Sequence, residues 1–193
     1  VTPSQTVGPF FHPTLLRDDV PQHTLMTPGF PGERIRIEGR VLDGEGAPVP
    51  DAMVEIWQAD AEGHYGHPSS DADTDFIGFA RSKTDEDGHY WFDTIMPGQA
   101  ILHPDTPDRR QAPHINLTIF GRGLLHQLHT RLYFEGEPAN ADDPILSLVP
   151  EERRGTLIAR RINAAGHVVY HLDIVLQGQG ETVFFNPGAA SRR

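Results

Sequence analysis

Short apolar runs, cut at close intervals by glycine and proline, constrain this chain more than any other feature. Gly occurs 19 times and Pro 17 times, spread throughout. This is the pattern of many short strands joined by turns. Arg34-Ile35-Arg36-Ile37-Glu38-Gly39-Arg40-Val41 alternates apolar and polar residues, as a half-buried strand does. Met53 to Trp57, His89 to Phe92, His114 to Phe120, Thr130 to Phe134 and Val168 to Leu176 read as further strands. Shorter ones are expected at Phe76 to Arg81 and Thr182 to Phe185. Asp43-Gly44-Glu45-Gly46 and Asp85-Glu86-Asp87-Gly88 are turns. One helical stretch is expected over Pro150 to Ile162, where Glu151-Glu152 at the start and Arg160-Arg161 at the end suit the helix dipole. The expected fold is all-β: a two-sheet antiparallel β-sandwich with one short helix.

The first 33 residues differ. Ser4 to Pro13 and Pro21 to Gly32 carry Pro and Gly at close spacing, with no periodicity. They are expected to form an extended N-terminal arm, residues 1–33, ordered only by lying against something else. Residues 34–193 would form the sandwich domain.

Charge excludes one class of partner. The chain has 16 Lys and Arg against 27 Asp and Glu, a net charge of -11, so nucleic acid would repel it. The pairs Arg109-Arg110 and Arg160-Arg161 are too short for a binding stripe. No cysteine is present, which removes disulfides and thiolate metal sites and suits a reducing compartment. No apolar run is long enough to cross a membrane. Val1-Thr2-Pro3-Ser4 shows neither a basic nor an apolar leader region. A cytoplasmic location is therefore expected.

Eleven histidines make metal binding the first chemistry to test. His114 and Asn116 lie two apart on an expected strand and so share a face. A second imidazole at Asn116 would complete a two-histidine site, but an amide is a poor ligand for a transition metal. These two residues also fit the polar face of a strand packed on a neighbour. His126 and His129, and likewise His64 and His67, have neither strand nor helical ligand spacing; the first pair could just reach one metal on a turn, but no carboxylate cluster adjoins it, and both read as surface pairs. Tyr65 follows the turn Ala61-Glu62-Gly63-His64 and fits a plug between core and water, or a phenolate ligand. Arg131 points away from the face of Thr130, Leu132 and Phe134. It is either an exposed strand arginine or a fork-shaped cation held for a carboxylate. There is no Gly-x-Ser-x-Gly elbow and no phosphate-cradling glycine loop.

Several segments then fall into one order: Ser4-Gln5-Thr6-Val7-Gly8-Pro9-Phe10, Gly39 to Asp43, Val54-Glu55-Ile56-Trp57-Gln58-Ala59-Asp60, Gly63-His64-Tyr65, Thr84-Asp85 with Gly88-His89-Tyr90, Ala112-Pro113-His114-Ile115, Leu132-Tyr133-Phe134-Glu135-Gly136, and Gln177 to Phe185. Over nearly the whole chain this set resembles the intradiol ring-cleavage dioxygenases. The resemblance implies a non-haem Fe(III) chemistry whose ligands are two tyrosines and two histidines. Tyr65 matches the first tyrosine. The second would follow Pro97-Gly98-Gln99, where Ala100 stands. His114 matches the first histidine, and Asn116 occupies the place of the second. With two of four ligand positions lost, no metal and no catalytic residue are expected on this chain.

In members built from two kinds of chain, an alpha-type chain pairs with a homologous beta chain that binds the Fe(III). The resemblance implies that this chain is of the alpha type and completes the pocket for a small aromatic substrate at the interface. Thr6, Gly8, Pro9 and Arg131 match residues that approach the beta chain's site. Two other readings are a self-sufficient homo-oligomeric dioxygenase, disfavoured by Ala100 and Asn116, and a transthyretin-like scaffold or carrier module.

Overall fold

A computed structural model describes residues 8, 15–16, 23–25, 31–66, 76, 78–164 and 166–186. Alternation becomes structure directly. In β1 (Arg34–Leu42), Ile35, Ile37 and Val41 are buried, while Arg34 and Arg40 are exposed. Strands β2 (Met53–Gln58), β3 (Phe79–Lys83), β4 (His89–Ile95), β5 (His114–Phe120), β6 (Leu128–Phe134), β7 (Ile158–Ala164), β8 (His167–His171) and β9 (Ile174–Val175) follow. The all-β expectation holds, and His114 to Phe120 is a strand with the expected bounds.

The strands are hydrogen-bonded in the order β3-β2-β5-β6-β7-β8-β1-β4, with β9 beside β1. The two end strands approach each other, and the Trp91 amide donates to the Ser82 hydroxyl at 3.3 Å. The sheet is thus nearly closed. Its inner faces meet in one core that includes Ile37, Val54, Ile56, Phe92, Ile115, Leu117, Leu132 and Phe134. Burying side chains of this size, each worth about 1.5–3 kcal/mol, fixes which face of each strand turns inward.

Three expectations are corrected. The pairing is mixed rather than purely antiparallel: β1 runs parallel to β8 and to β9, and β6 parallel to β7. The stretch Pro150 to Ile162 is not one helix. It begins with α1 (Glu151–Arg154), passes through a 3-10 turn at Gly155–Leu157, and becomes β7. Arg160, Arg161 and Ile162 pair with His171, Tyr170 and Val169 of β8. Ladder bonds to a neighbouring strand override the helix-like placement of its charges. Thr182 to Phe185 forms no strand; Phe185 makes a single bridge to His129.

Three turns share one device. Asp43 Oδ1 accepts from the amides of Glu45 and Ala47, Asp60 Oδ1 from Glu62 and His64, and Asp85 Oδ1 from Asp87 and His89. Each is followed three residues later by a glycine at positive φ: Gly46, Gly63 and Gly88. Gly63 is the one that places a turn beside β5. At φ 87° a Cβ would strike the Gln99 carbonyl, so its absence lets the turn over Asp60 to Gly63 press against Pro97-Gly98-Gln99-Ala100. The Gly98 amide donates to the Asp60 carbonyl at 2.8 Å across that contact.

Of the arm, the described pieces lie partly on their own chain. Leu16 and Leu25 are buried. Thr24 bridges Asp93 on the edge of β4, and the His23 ring lies 3.7 Å from that of Trp91, centroid to centroid. Gly8 is exposed, and a Cβ there would meet nothing among the described residues. Thr6 and Pro9 lie outside the described residues.

Candidate functional site

The β5/β6 register sets the site. His114 faces Tyr133 and Asn116 faces Arg131, all on the outer side of the sheet. On the other flank Asn116 faces Trp57 of β2, over which the Tyr65 ring stacks at 6.0 Å. Tyr65, His114, Asn116 and Arg131 therefore come together on the outer face of this chain. Ala100 is buried on the neighbouring turn.

Hydrogen bonds among them have a definite direction. His114 Nδ1 lies 2.8 Å from the Ala112 carbonyl, which can only accept. The imidazole proton is thus on Nδ1, and Nε2 is an acceptor. The Tyr65 hydroxyl lies 3.1 Å from Nε2 and donates to it. Asn116 Nδ2 in turn donates to the Tyr65 hydroxyl at 3.2 Å and to the Trp57 carbonyl at 3.3 Å. The chain runs Asn116 to Tyr65 to His114 to Ala112 with every member neutral.

Burial supports that protonation. His114 is 2% exposed; burial, helped by the nearby Arg131 charge, pushes its pKa down to about 4. Burial raises the Tyr65 pKa against the opposing effects of Asn116 and Arg131. A ferric ion needs a phenolate and a free imidazole lone pair. Here the phenol keeps its proton and donates a hydrogen bond to that lone pair. Ala100 and Asn116 add no ligand, so the residues present do not fit the metal.

A second network backs the first. Buried Asp143 accepts through Oδ1 from the Tyr133 hydroxyl at 2.9 Å and the amides of Ile145 and Leu146, and through Oδ2 from the Ala112 amide at 2.8 Å. Arg131 NH1 donates to Gln111 Oε1 at 2.8 Å and reaches the Tyr133 hydroxyl at 3.4 Å. Gln111, Tyr133 and Asp143 were not singled out by the sequence. Tyr133 had a signal: it shares Arg131's face at two residues' spacing. Gln111 and Asp143 sit on connecting segments with no period to betray them.

The histidine pairs behave as surface groups where described. His64 is exposed beside Asp60 at 3.7 Å, and His129 Nδ1 lies 3.2 Å from the Thr118 hydroxyl; His67 lies outside the described residues. A cleft of about 510 Å³ opens next to Gln99 and Ala112, walled by Arg110, Glu137 and Asp142. Tyr65, His114, Asn116 and Arg131 do not line it. Among the described residues no helix is long and apolar enough to cross a membrane.

The sequence and fold of this chain are matched by known proteins. The family model described as Dioxygenase (Dioxygenase_C) covers residues 7–178, and the chain belongs to the intradiol dioxygenase family. It is 42% identical over 196 residues to a protocatechuate 3,4-dioxygenase alpha chain from Pseudomonas putida, covering 96% of both. It is also 41% identical over 159 residues to a beta chain of that name from Burkholderia cepacia, covering 78% of this chain and 67% of the other. Among solved structures, the dioxygenase domain of a carbohydrate-binding fusion protein from Streptomyces sp. SirexAA-E superimposes with a TM-score of 0.64. It is 29% identical and covers 92% of this chain and 98% of that one.

Proposed function

We propose that this chain is the iron-free alpha subunit of an alpha–beta intradiol dioxygenase. That enzyme would cleave 3,4-dihydroxybenzoate with O2 to 3-carboxy-cis,cis-muconate. The observation that carries this reading is the closed hydrogen bond between Tyr65 and His114, with Ala100 and Asn116 at the other two ligand positions. Near-complete coverage of an alpha chain, beside a shorter match to a beta chain, supports it.

In this reading the Fe(III) belongs to the homologous beta chain. This chain supplies walls: Thr6, Gly8 and Pro9 on the arm of residues 1–33, and Arg131 on β6. The arm docks on the beta chain, and the two halves of the sheet within 34–193 act as the facing layers of a sandwich. The substrate carries a carboxylate, and a half-buried guanidinium attracts and orients it. Excluding water from the shared pocket is the other contribution. The assembly works in the cytoplasm, on a small soluble aromatic acid.

Co-purification with a beta chain, followed by iron counting per chain, tests this. Iron and the visible absorption of tyrosinate-Fe(III) are expected with the beta chain only, and ring cleavage only in the mixture. A red, iron-loaded preparation of this chain alone would overturn the reading, as would failure of the two chains to associate.

A further inference from the structure

We infer that Gln111 and Tyr133 are positioning residues that keep one edge of the Arg131 guanidinium open for the carboxylate of an aromatic substrate. The inference rests on the proposed place of Arg131 in a shared pocket, and it concerns how that charge is kept available.

Arginine has five N–H groups. On Arg131 both hydrogens of NH1 are engaged, one by Gln111 Oε1 at 2.8 Å and one by the Tyr133 hydroxyl at 3.4 Å. Nε and NH2 have no partner among the described residues. These two nitrogens form the side-on fork. Arg36 shows what that fork does when a carboxylate is present: its Nε and NH2 hold both oxygens of Asp93, at 2.8 and 2.9 Å. Arg81, Arg122, Arg153 and Arg161 each have one carboxylate oxygen within 4.0 Å, of Glu55, Asp51, Glu181 and Glu33, whereas Arg154 is held by the Val149 and Ser147 carbonyls. Arg131 is half-buried, in a chain of net charge -11, yet its two partners are neutral.

Neither partner is there by accident of rotation. Gln111 is 6% exposed. Its amide N–H donates to the Ala100 carbonyl at 2.8 Å and its Nε2 to the Ile101 carbonyl at 3.1 Å. Turning the side-chain amide over would lose the Ile101 bond and put an NH2 group against the guanidinium, so Oε1 must face Arg131. The Tyr133 hydroxyl donates its one hydrogen bond to Asp143 Oδ1 at 2.9 Å, which leaves the hydroxyl oxygen as an acceptor for Arg131. The hydroxyl also stands between the guanidinium and the Asp143 carboxylate, which would otherwise neutralise it. The result is a cation aimed by neutral groups, with the edge that matches a carboxylate left open by the described residues.

Steady-state kinetics on the assembled alpha–beta enzyme test this, using 3,4-dihydroxybenzoate against catechol, which lacks the carboxylate. Gln111→Glu places an anion on the guanidinium. It is expected to raise KM for 3,4-dihydroxybenzoate about tenfold relative to KM for catechol, with bound iron unchanged. Gln111→Met and Tyr133→Phe keep size and remove one acceptor each, and should shift the same ratio several-fold in the same direction. They keep the test available if the glutamate variant does not assemble. Arg131→Ala is the reference. If it shifts the KM ratio and none of the three others does, the positioning role is wrong and the place of Arg131 stands. If the variants weaken both substrates equally, their role is structural and the inference is overturned. If Arg131→Ala itself leaves the ratio unchanged, the pocket role of Arg131 falls, and this inference with it.

Discussion

The Tyr65 hydroxyl donates a hydrogen bond to Nε2 of His114 across 3.1 Å. The resemblance matches both side chains to metal-ligand positions; here they turn to each other. Tyr65→Phe removes that donor. His114 is buried, so its Nε2 is left without a partner, at a cost of about 1–3 kcal/mol. Urea unfolding of the two proteins at pH 7.5 measures it. A variant as stable as the wild type would show that the bond contributes nothing.

The same pair predicts a pH response. His114 is held neutral in the fold, with its pKa lowered to about 4 by burial. In the unfolded chain it titrates near 6.5. Above pH 6.5 both states carry the neutral ring and the group has no effect on stability. Between 6.5 and 4 the unfolded chain binds a proton that the folded one refuses, so stability falls as pH falls. The loss amounts to about 3 kcal/mol by pH 4. The difference in unfolding free energy between wild type and His114→Gln should therefore shrink from pH 7.5 to pH 4.5, because the variant lacks this titration. A pH-independent difference would refute it.

Strands were legible where one face is buried and the other wet, because the alternation of Arg34 to Val41 or His114 to Phe120 has one physical cause. The region after Pro150 was not. Glu151-Glu152 and Arg160-Arg161 bracket it like the ends of a helix, but only Glu151–Arg154 is helical. What decides Ile158–Ala164 is the availability of β8 and β6 as neighbours, and no local pattern reports that. The parallel pairing of β1 with β8 joins residues more than 130 positions apart and is invisible locally for the same reason. Of the site, the convergence of Tyr65, His114 and Asn116 followed from a resemblance in motif order. The cradle around Arg131 did not, because Gln111 and Asp143 act from loops whose positions only the closed fold defines.

Asp143 is the test of that cradle as a structural unit. It is 1% exposed and its two oxygens accept four hydrogen bonds, three on Oδ1 and one on Oδ2. A carboxylate suits this because it accepts everywhere and donates nowhere. Asn keeps the shape but must turn its NH2 group toward one set of donors. If the NH2 group takes the Oδ2 position, it opposes the Ala112 amide, which adjoins the segment leading to His114. If it takes the Oδ1 position, it opposes Tyr133, Ile145 and Leu146 together, which is worse. The first arrangement should win, and Asp143→Asn should cost about 3 kcal/mol through one lost charged bond and one buried clash of donors. Asp143→Ala removes all four bonds and should cost more. Chemical denaturation of the three proteins gives the order, and amide hydrogen exchange at Ala112 gives the location: its protection should fall in Asp143→Asn while that of Leu117 in the middle of β5 is retained. An Asn variant as stable as the wild type, with Ala112 still protected, would mean that the carboxylate charge is not what holds this corner together.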